Sequence, residues 1–177
     1  MSDKWKSKSI KELYNGKFLK LTVEEVETPS GKSAAYEIID RKDVAIVVPV
    51  KDESVYMVEQ YRYPIHTNSL EFPQGFLEVG ENPEQGAMRE LQEETGLLAK
   101  ELTFLGSLWI SPGFLRQKLH VFSAESFIHG EKSLDEEEEG LESKRIAIQD
   151  LSSKLASGEI SSAPTVAALG LYLLKKS

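Results

Sequence analysis

The chain has 177 residues, 40% of them hydrophobic and 28% charged, which is enough for one compact core with a small appended element. It contains no cysteine, so disulfides, thiolate zinc sites and cysteine-based catalysis are excluded. Acidic residues outnumber basic ones 29 to 21, a formal charge of -8; this mean field argues against nucleic acid as a partner, whereas a small anion can still bind where carboxylate-held cations reverse the local sign.

Val44–Val50 and Val166–Leu174 are too short or too interrupted to span a bilayer. The opening Met1-Ser2-Asp3-Lys4-Trp5-Lys6 lacks the apolar run of a secretion signal. A cytoplasmic protein without membrane attachment is the expectation. In chain order, the basic stretch Lys4–Lys11 reads as a solvated arm or the first edge of a sheet. Phe18, Leu19, Leu21, Val23 and Val26 predict a strand, Thr28-Pro29-Ser30-Gly31-Lys32 a turn, and Ala35–Asp40 the return strand. Such a ribbon buries little alone and needs the following domain or another subunit. The expected division is a β appendage over 1–41 and a main domain over 42–177.

Strands are expected at Val44–Val50 and Val55–Val58, joined by the charged turn Lys51-Asp52-Glu53-Ser54. Glu71–Gly80, rich in glycine, proline and carboxylate, reads as a loop close to ligand. Pro83 opens a helix that ends before Gly96, with Ala87, Leu91 and Met88 turned inward. Leu102–Ile110 and Leu119–Ala124 predict strands around the break Ser111-Pro112-Gly113. Gly130–Glu142 is acidic and exposed, and Ile148–Ala156 and Thr165–Leu174 carry helical patterns. Together these predict an α/β/α sandwich with a mixed sheet between helices.

On the predicted helix Glu90 and Glu94 lie one turn apart on one face, with Glu93 beside them. Like charges at this spacing repel, and a hard divalent cation offsets the repulsion; magnesium takes oxygen ligands and keeps waters while contacting phosphates. Gly75 is read as a tight turn that presents the Gln74 carbonyl to the same ion. Arg89 either braces a carboxylate or contacts phosphate, and its place inside the acidic cluster favours bracing. A merely solvated acidic face is the competing reading of Glu90, Glu93 and Glu94 taken alone.

The full register is more specific. Gly75, five residues, Glu81, seven residues, Arg89-Glu90-Leu91, one residue, Glu93-Glu94, one residue, Gly96-Leu97 resembles the complete Nudix box. Gln60-Tyr61-Arg62, Glu71-Phe72-Pro73-Gln74-Gly75, Ser111-Pro112-Gly113, with Pro112 sixteen residues after Gly96, and Gly158-Glu159-Ile160 before Ala163-Pro164-Thr165 are similar to pyrophosphatases of ADP-ribose and other nucleoside diphosphate sugars. The resemblance implies the Nudix fold and hydrolysis of a nucleoside diphosphate sugar such as ADP-ribose or GDP-mannose. It implies magnesium, with manganese as a substitute, held by Glu90, Glu94, Glu93 and the Gln74 carbonyl. It assigns catalysis to Glu139 with its neighbour Glu137, and to Glu93 and Arg89. Substrate contacts fall on Arg62, Tyr61, Pro112 and Phe114, and the N-terminal strands are expected to build a homodimer. One departure is Phe114-Leu115-Arg116-Gln117-Lys118, which puts positive charge where relatives carry an acidic residue and favours a differently placed phosphate or sugar. Rival readings are a dinucleoside polyphosphate or modified-nucleotide hydrolase of the same family, and a noncatalytic nucleotide-sugar sensor.

Overall fold

The computed structural model describes residues 4–134 and 139–176. Its elements in chain order begin with β1 (Lys6–Asn15), β2 (Lys20–Glu27), β3 (Ser33–Asp40), β4 (Val44–Lys51), β5 (Ser54–Arg62), β6 (Thr67–Glu71), β7 (Gln74–Phe76) and α1 (Pro83–Thr95). They continue with β8 (Leu97–Ala99), β9 (Thr103–Trp109), β10 (Leu115–Arg116), β11 (Lys118–Ala124), β12 (Phe127–His129), β13 (Glu142–Ala147), α2 (Leu151–Ser157) and α3 (Ala163–Lys176). The chain divides into two compact units, Met1–Asp43 with Trp109–Lys118, and Val44–Leu108 with Leu119–Ser177.

In the first unit β1, β2 and β3 form an antiparallel meander, and β10 joins β3 in parallel with Leu115 opposite Ile39. The turn between β2 and β3 closes because Gly31 adopts φ +80, a left-handed conformation that glycine takes without a Cβ penalty, and its N–H donates to the Thr28 carbonyl at 2.9 Å. The basic arm is the sheet edge of the two alternatives, running on to Asn15, and all of β1 is exposed. In β2, Thr22, Glu24 and Val26 alternate inward, the period of a half-buried strand. That Trp109–Lys118 belongs with the N-terminal strands was not anticipated from the sequence.

The second unit is built on a sheet in the order β13-β5-β4-β11-β9, with β6 on β5 and β7 on β4. It is mixed: β11 runs parallel to β4, while β5 and β7 are antiparallel to it. Strand β4 is apolar on both sides, as a central strand covered on both faces must be. Ala45 and Val47 pack into one cluster with Ala87 and Leu91 of α1 and with Leu97, Phe122, Ala124 and Phe127. Their neighbours Ile46 and Val48, equally buried, point to the opposite face. Helix α3 also packs on β4 and buries Ala168, Leu169 and Tyr172, so helices cover the two faces of a mixed sheet. The sandwich expected from the order of elements is the one found. The sequence gives no sign of the short strands β6, β8 and β12, whereas β13 takes in part of the strand-like Ile146–Ile148, and Glu71–Gly80 is a loop only in part, since Glu71 ends β6 and Gln74–Phe76 is β7.

Candidate active site

Helix α1 is set by local chemistry at both ends. Asn82 accepts from the Gln85 N–H at 2.9 Å, while the Gln85 side chain accepts from the Asn82 N–H at 3.4 Å, a reciprocal cap that satisfies two orphan donors. Pro83 follows at the first helical position, where its missing N–H is harmless. At the other end Gly96 turns left-handed at φ +71 and donates to the Gln92 carbonyl at 2.7 Å. Two last-turn carbonyls and that of Gly96 are used by later chain: Gly130 N–H donates to the Gly96 carbonyl at 2.7 Å, Ser133 N–H to the Glu93 carbonyl at 3.2 Å, and the Ser143 hydroxyl to the Glu94 carbonyl at 3.3 Å. These bonds tie both flanks of the acidic segment to the end of α1.

The face of α1 carrying Glu90 and Glu94 meets β7. Both carboxylates are buried, at 6% and 2% exposure. Glu94 accepts from the Gln74 main-chain N–H at 3.0 Å. Glu90 lies against Gly75, so closely that a Cβ at that position would overlap both carboxylate oxygens. Gly75 is therefore required by close approach within a strand, not by the tight turn expected from the sequence, and it pairs regularly with Ala45. In an extended strand a residue's N–H and C=O leave the same edge. The Gln74 carbonyl accordingly faces the side from which Glu94 takes its N–H.

Arg89 is the brace of this region. Its Nε and Nη2 donate to the two oxygens of Glu81 at 2.9 and 3.0 Å. Nη1 donates to Glu90 at 2.8 Å and to Glu93 at 2.9 Å, and Nη2 also donates to the Phe76 carbonyl at 3.0 Å. These bonds use the five donors of a guanidinium, so the geometry favours bracing over phosphate contact. The bonds to Glu81, followed by the charges and bonds of Glu90 and Glu93, raise the Arg89 pKa against the opposing effect of burial. In return Arg89 lowers the Glu81 pKa.

One guanidinium shared by three carboxylates cannot neutralise them. Among the described residues, no group of three His, Cys, Asp or Glu side chains gathers around a point that could hold a metal ion. The ready-made cluster expected from the spacing of Glu90, Glu93 and Glu94 is thus replaced here by ion pairs: Glu90 and Glu93 turn to Arg89, and Glu94 to the Gln74 N–H. The donor set still fits a hard cation, because its groups are all oxygens and two buried carboxylates carry the excess negative charge.

A second ion pair lies on β5 and β6. Arg62 Nε and Nη2 donate to Glu71 Oε1 and Oε2 at 3.1 and 2.7 Å, and the Gln74 side-chain amide donates to Glu71 Oε2 at 2.5 Å. Burial of Glu71 opposes its ionisation, yet Arg62, helped by Ser69 and Gln74, holds its pKa below the ordinary carboxylate value. The next residue, Phe72, donates its N–H to the fully buried Thr165 hydroxyl of α3 at 3.2 Å. Tyr61 leaves β5 on the face opposite to Arg62, with its hydroxyl 3.4 Å from His66 Nδ1.

The remaining expected residues fall elsewhere. Glu139 is exposed, two residues before the buried Leu141. Glu137 lies outside the described residues. Pro112 and Phe114 belong to the first unit, where with Tyr36, Ile38 and Arg116 they line a shallow groove of about 230 Å³. The positive charge of Arg116 is met there by Glu24 at 2.8 Å and Asp40 at 3.7 Å, and Lys118 sits 5.0 Å from the Trp109 ring centre. The positively charged departure noted in the sequence thus has partners within the first unit. The sequence points to no individual role for Glu71 or Thr165; the one signal for Glu71 is an acidic residue between the apolar Leu70 and Phe72.

The NUDIX domain model matches residues 40–169. An ADP-ribose pyrophosphatase of Bacillus subtilis is 38% identical over 94% of this chain and 91% of its own length. A methanol dehydrogenase activator of Bacillus methanolicus is 36% identical over 78% of this chain and 77% of its own. The crystal structure of an ADP compounds hydrolase superposes with a TM-score of 0.85 at 24% identity, covering 98% of this chain and 93% of that one, a likeness of fold.

Proposed function

From the premise that this chain belongs to the Nudix hydrolase family, we propose that it cleaves the diphosphate of nucleoside diphosphate sugars such as ADP-ribose or GDP-mannose. The observation that carries this reading is the convergence of Glu90 and Glu94 on adjacent residues of β7, Gly75 and Gln74. It is supported by a relative named for ADP-ribose that aligns over nearly the whole chain.

Glu90, Glu94, Glu93 and the Gln74 carbonyl would hold magnesium, with manganese as a substitute. Bound there, such cations supply neutralisation of the nonbridging phosphate oxygens and a more acidic water. Arg89 keeps Glu90 and Glu93 in place, and Arg62 is assigned to the diphosphate, which a rigid, permanently charged guanidinium suits. Phe114 is assigned to the base or sugar, and Pro112 to substrate contact. Tyr61, on the other face of β5 from Arg62, is assigned to the outlying base or sugar end and not to the diphosphate. Glu139, with Glu137, is the proposed acceptor of the water proton. The water oxygen joins one phosphorus as the bridging P–O bond breaks, giving a nucleoside monophosphate and a sugar phosphate without a covalent enzyme intermediate.

A homodimer is proposed on the exposed edge strand β1, with its Ile10 at 63% exposure and the adjoining Trp5 at 51%. Among the described residues no helix is long and apolar enough to cross a membrane, and cytoplasmic action on a small molecule is the proposed setting. The test is a panel of ADP-ribose, ADP-glucose, GDP-mannose and UDP-sugars with purified protein and magnesium, both products being identified. Release of a nucleoside monophosphate from at least one supports the reading; binding without turnover rejects it in favour of a sensor.

A further inference from the structure

Glu71 ends β6 between Leu70 and Phe72, and all three side chains are buried. An ionised carboxylate in such surroundings is tolerated only when paired and hydrogen-bonded. The sheet register supplies the partners. Glu71 stands opposite Val58 on β5, so its side chain leaves on the face shared by Val58, Gln60 and Arg62. Arg62 then closes a two-bond fork through Nε and Nη2 at 3.1 and 2.7 Å, with Nη1 lying outside the fork. Because the guanidinium is rigid and planar, two bonds fix the orientation of the whole group.

The same carboxylate reaches in a second direction. Its Oε2 also accepts from the Gln74 side chain at 2.5 Å, and Gln74 is the residue whose main-chain N–H donates to Glu94. Glu71 therefore joins Arg62 on β5 to the start of β7, where the carboxylates of α1 converge. We propose that Glu71 is a positioning residue of the diphosphate site: it does not touch substrate, but it sets the plane of the Arg62 guanidinium. The inference rests on the assignment of Arg62 to the diphosphate.

A carboxylate that only stabilised the fold would alter thermal stability without energetic coupling to Arg62 in ligand binding. The test is a double-mutant cycle of wild type, Glu71→Gln, Arg62→Ala and the double variant. Binding of the nonhydrolysable α,β-methylene analogue of ADP-ribose is measured by calorimetry in magnesium, alongside kcat, KM and thermal midpoint. Glu71→Gln is expected to weaken analogue binding about tenfold, the scale of a lost charge-assisted bond, and to add nothing once Arg62 is gone. Additive losses, or a Glu71→Gln variant that binds like wild type, overturn the proposal. Should Glu71→Gln not fold, Glu71→Asp keeps the charge on a shorter arm, and its loss must likewise vanish in the Arg62→Ala background. The same cycle in kcat/KM decides where binding is too weak to measure. A wild type that cleaves nucleotide sugars while the cycle is additive overturns the Glu71 proposal alone; a wild type that neither binds the analogue nor cleaves any of them overturns the functional reading with it.

Discussion

Glu90 lies over Gly75 with no room for a single methyl group between its carboxylate and the strand. The contact joins α1 to β7 at the point where oxygen ligands are proposed to gather. Gly75→Ala forces the flexible end of Glu90 to move, which disturbs the site more than the core. Overpacking of this kind costs about 1–3 kcal/mol of stability. Turnover of the best nucleotide sugar is expected to fall more than the melting temperature suggests, and steady-state kinetics beside calorimetry measures both.

Arg89 makes bonds to Glu81, Glu90, Glu93 and the Phe76 carbonyl. Its side chain is 26% exposed, so solvent softens its loss relative to a fully buried pair. Arg89→Ala is expected to destabilise by about 2–4 kcal/mol by leaving carboxylates uncompensated. Arg89→Lys should recover only part of this, because an ammonium cannot reproduce the planar fork. Urea denaturation of the three proteins gives the comparison; equal midpoints would remove the bracing role.

Glu71 predicts a pH dependence. Its folded pKa lies below the unfolded value, which is about 4.3 for a glutamate. The unfolded chain therefore binds the proton more readily as the medium is acidified. The stabilisation is fully present above the unfolded pKa and is lost as pH falls through the lowered folded one. Glu71→Gln should be less stable than wild type near neutrality, and the gap should narrow in acid. Thermal midpoints across that range report it, and a constant gap contradicts it.

Thr165 offers a check away from the charges. Its hydroxyl accepts from the Phe72 N–H at the buried start of α3. Thr165→Val keeps the volume and leaves that donor without the bond, a loss of about 1–3 kcal/mol. Guanidinium unfolding should show it, with the exposed Ser153→Ala as an inert control.

Legibility in the sequence followed how local each determinant is. Helix α1 was placed within its bounds because Pro83 and Gly96 mark its ends through neighbouring backbone geometry. The sandwich followed from the alternation of strands and helices. Gly75 was recognised as special but for the wrong cause, since sequence shows that a Cβ is absent and not what presses on its place. The grouping of Trp109–Lys118 with the N-terminal strands depends on Leu115 meeting Ile39, a pairing between distant segments with no local signature. The Arg62–Glu71 pair escaped for a similar reason: it depends on the register of β6 against β5, and β6 is too short to announce a period. Ion pairing of Glu90 and Glu93 with Arg89 was legible as spacing, while their turning to it in place of an open metal cluster was not.

The central claim is that Glu90 and Glu94 hold a divalent cation for diphosphate hydrolysis. Its most direct test is a magnesium titration of turnover in wild type and Glu94→Gln, with the folded state of both followed by circular dichroism. Saturable activation in wild type, and its near-complete loss in a folded Glu94→Gln, is the predicted result. Undiminished turnover by wild type in excess chelator, or by Glu94→Gln at the same magnesium concentrations, would contradict it.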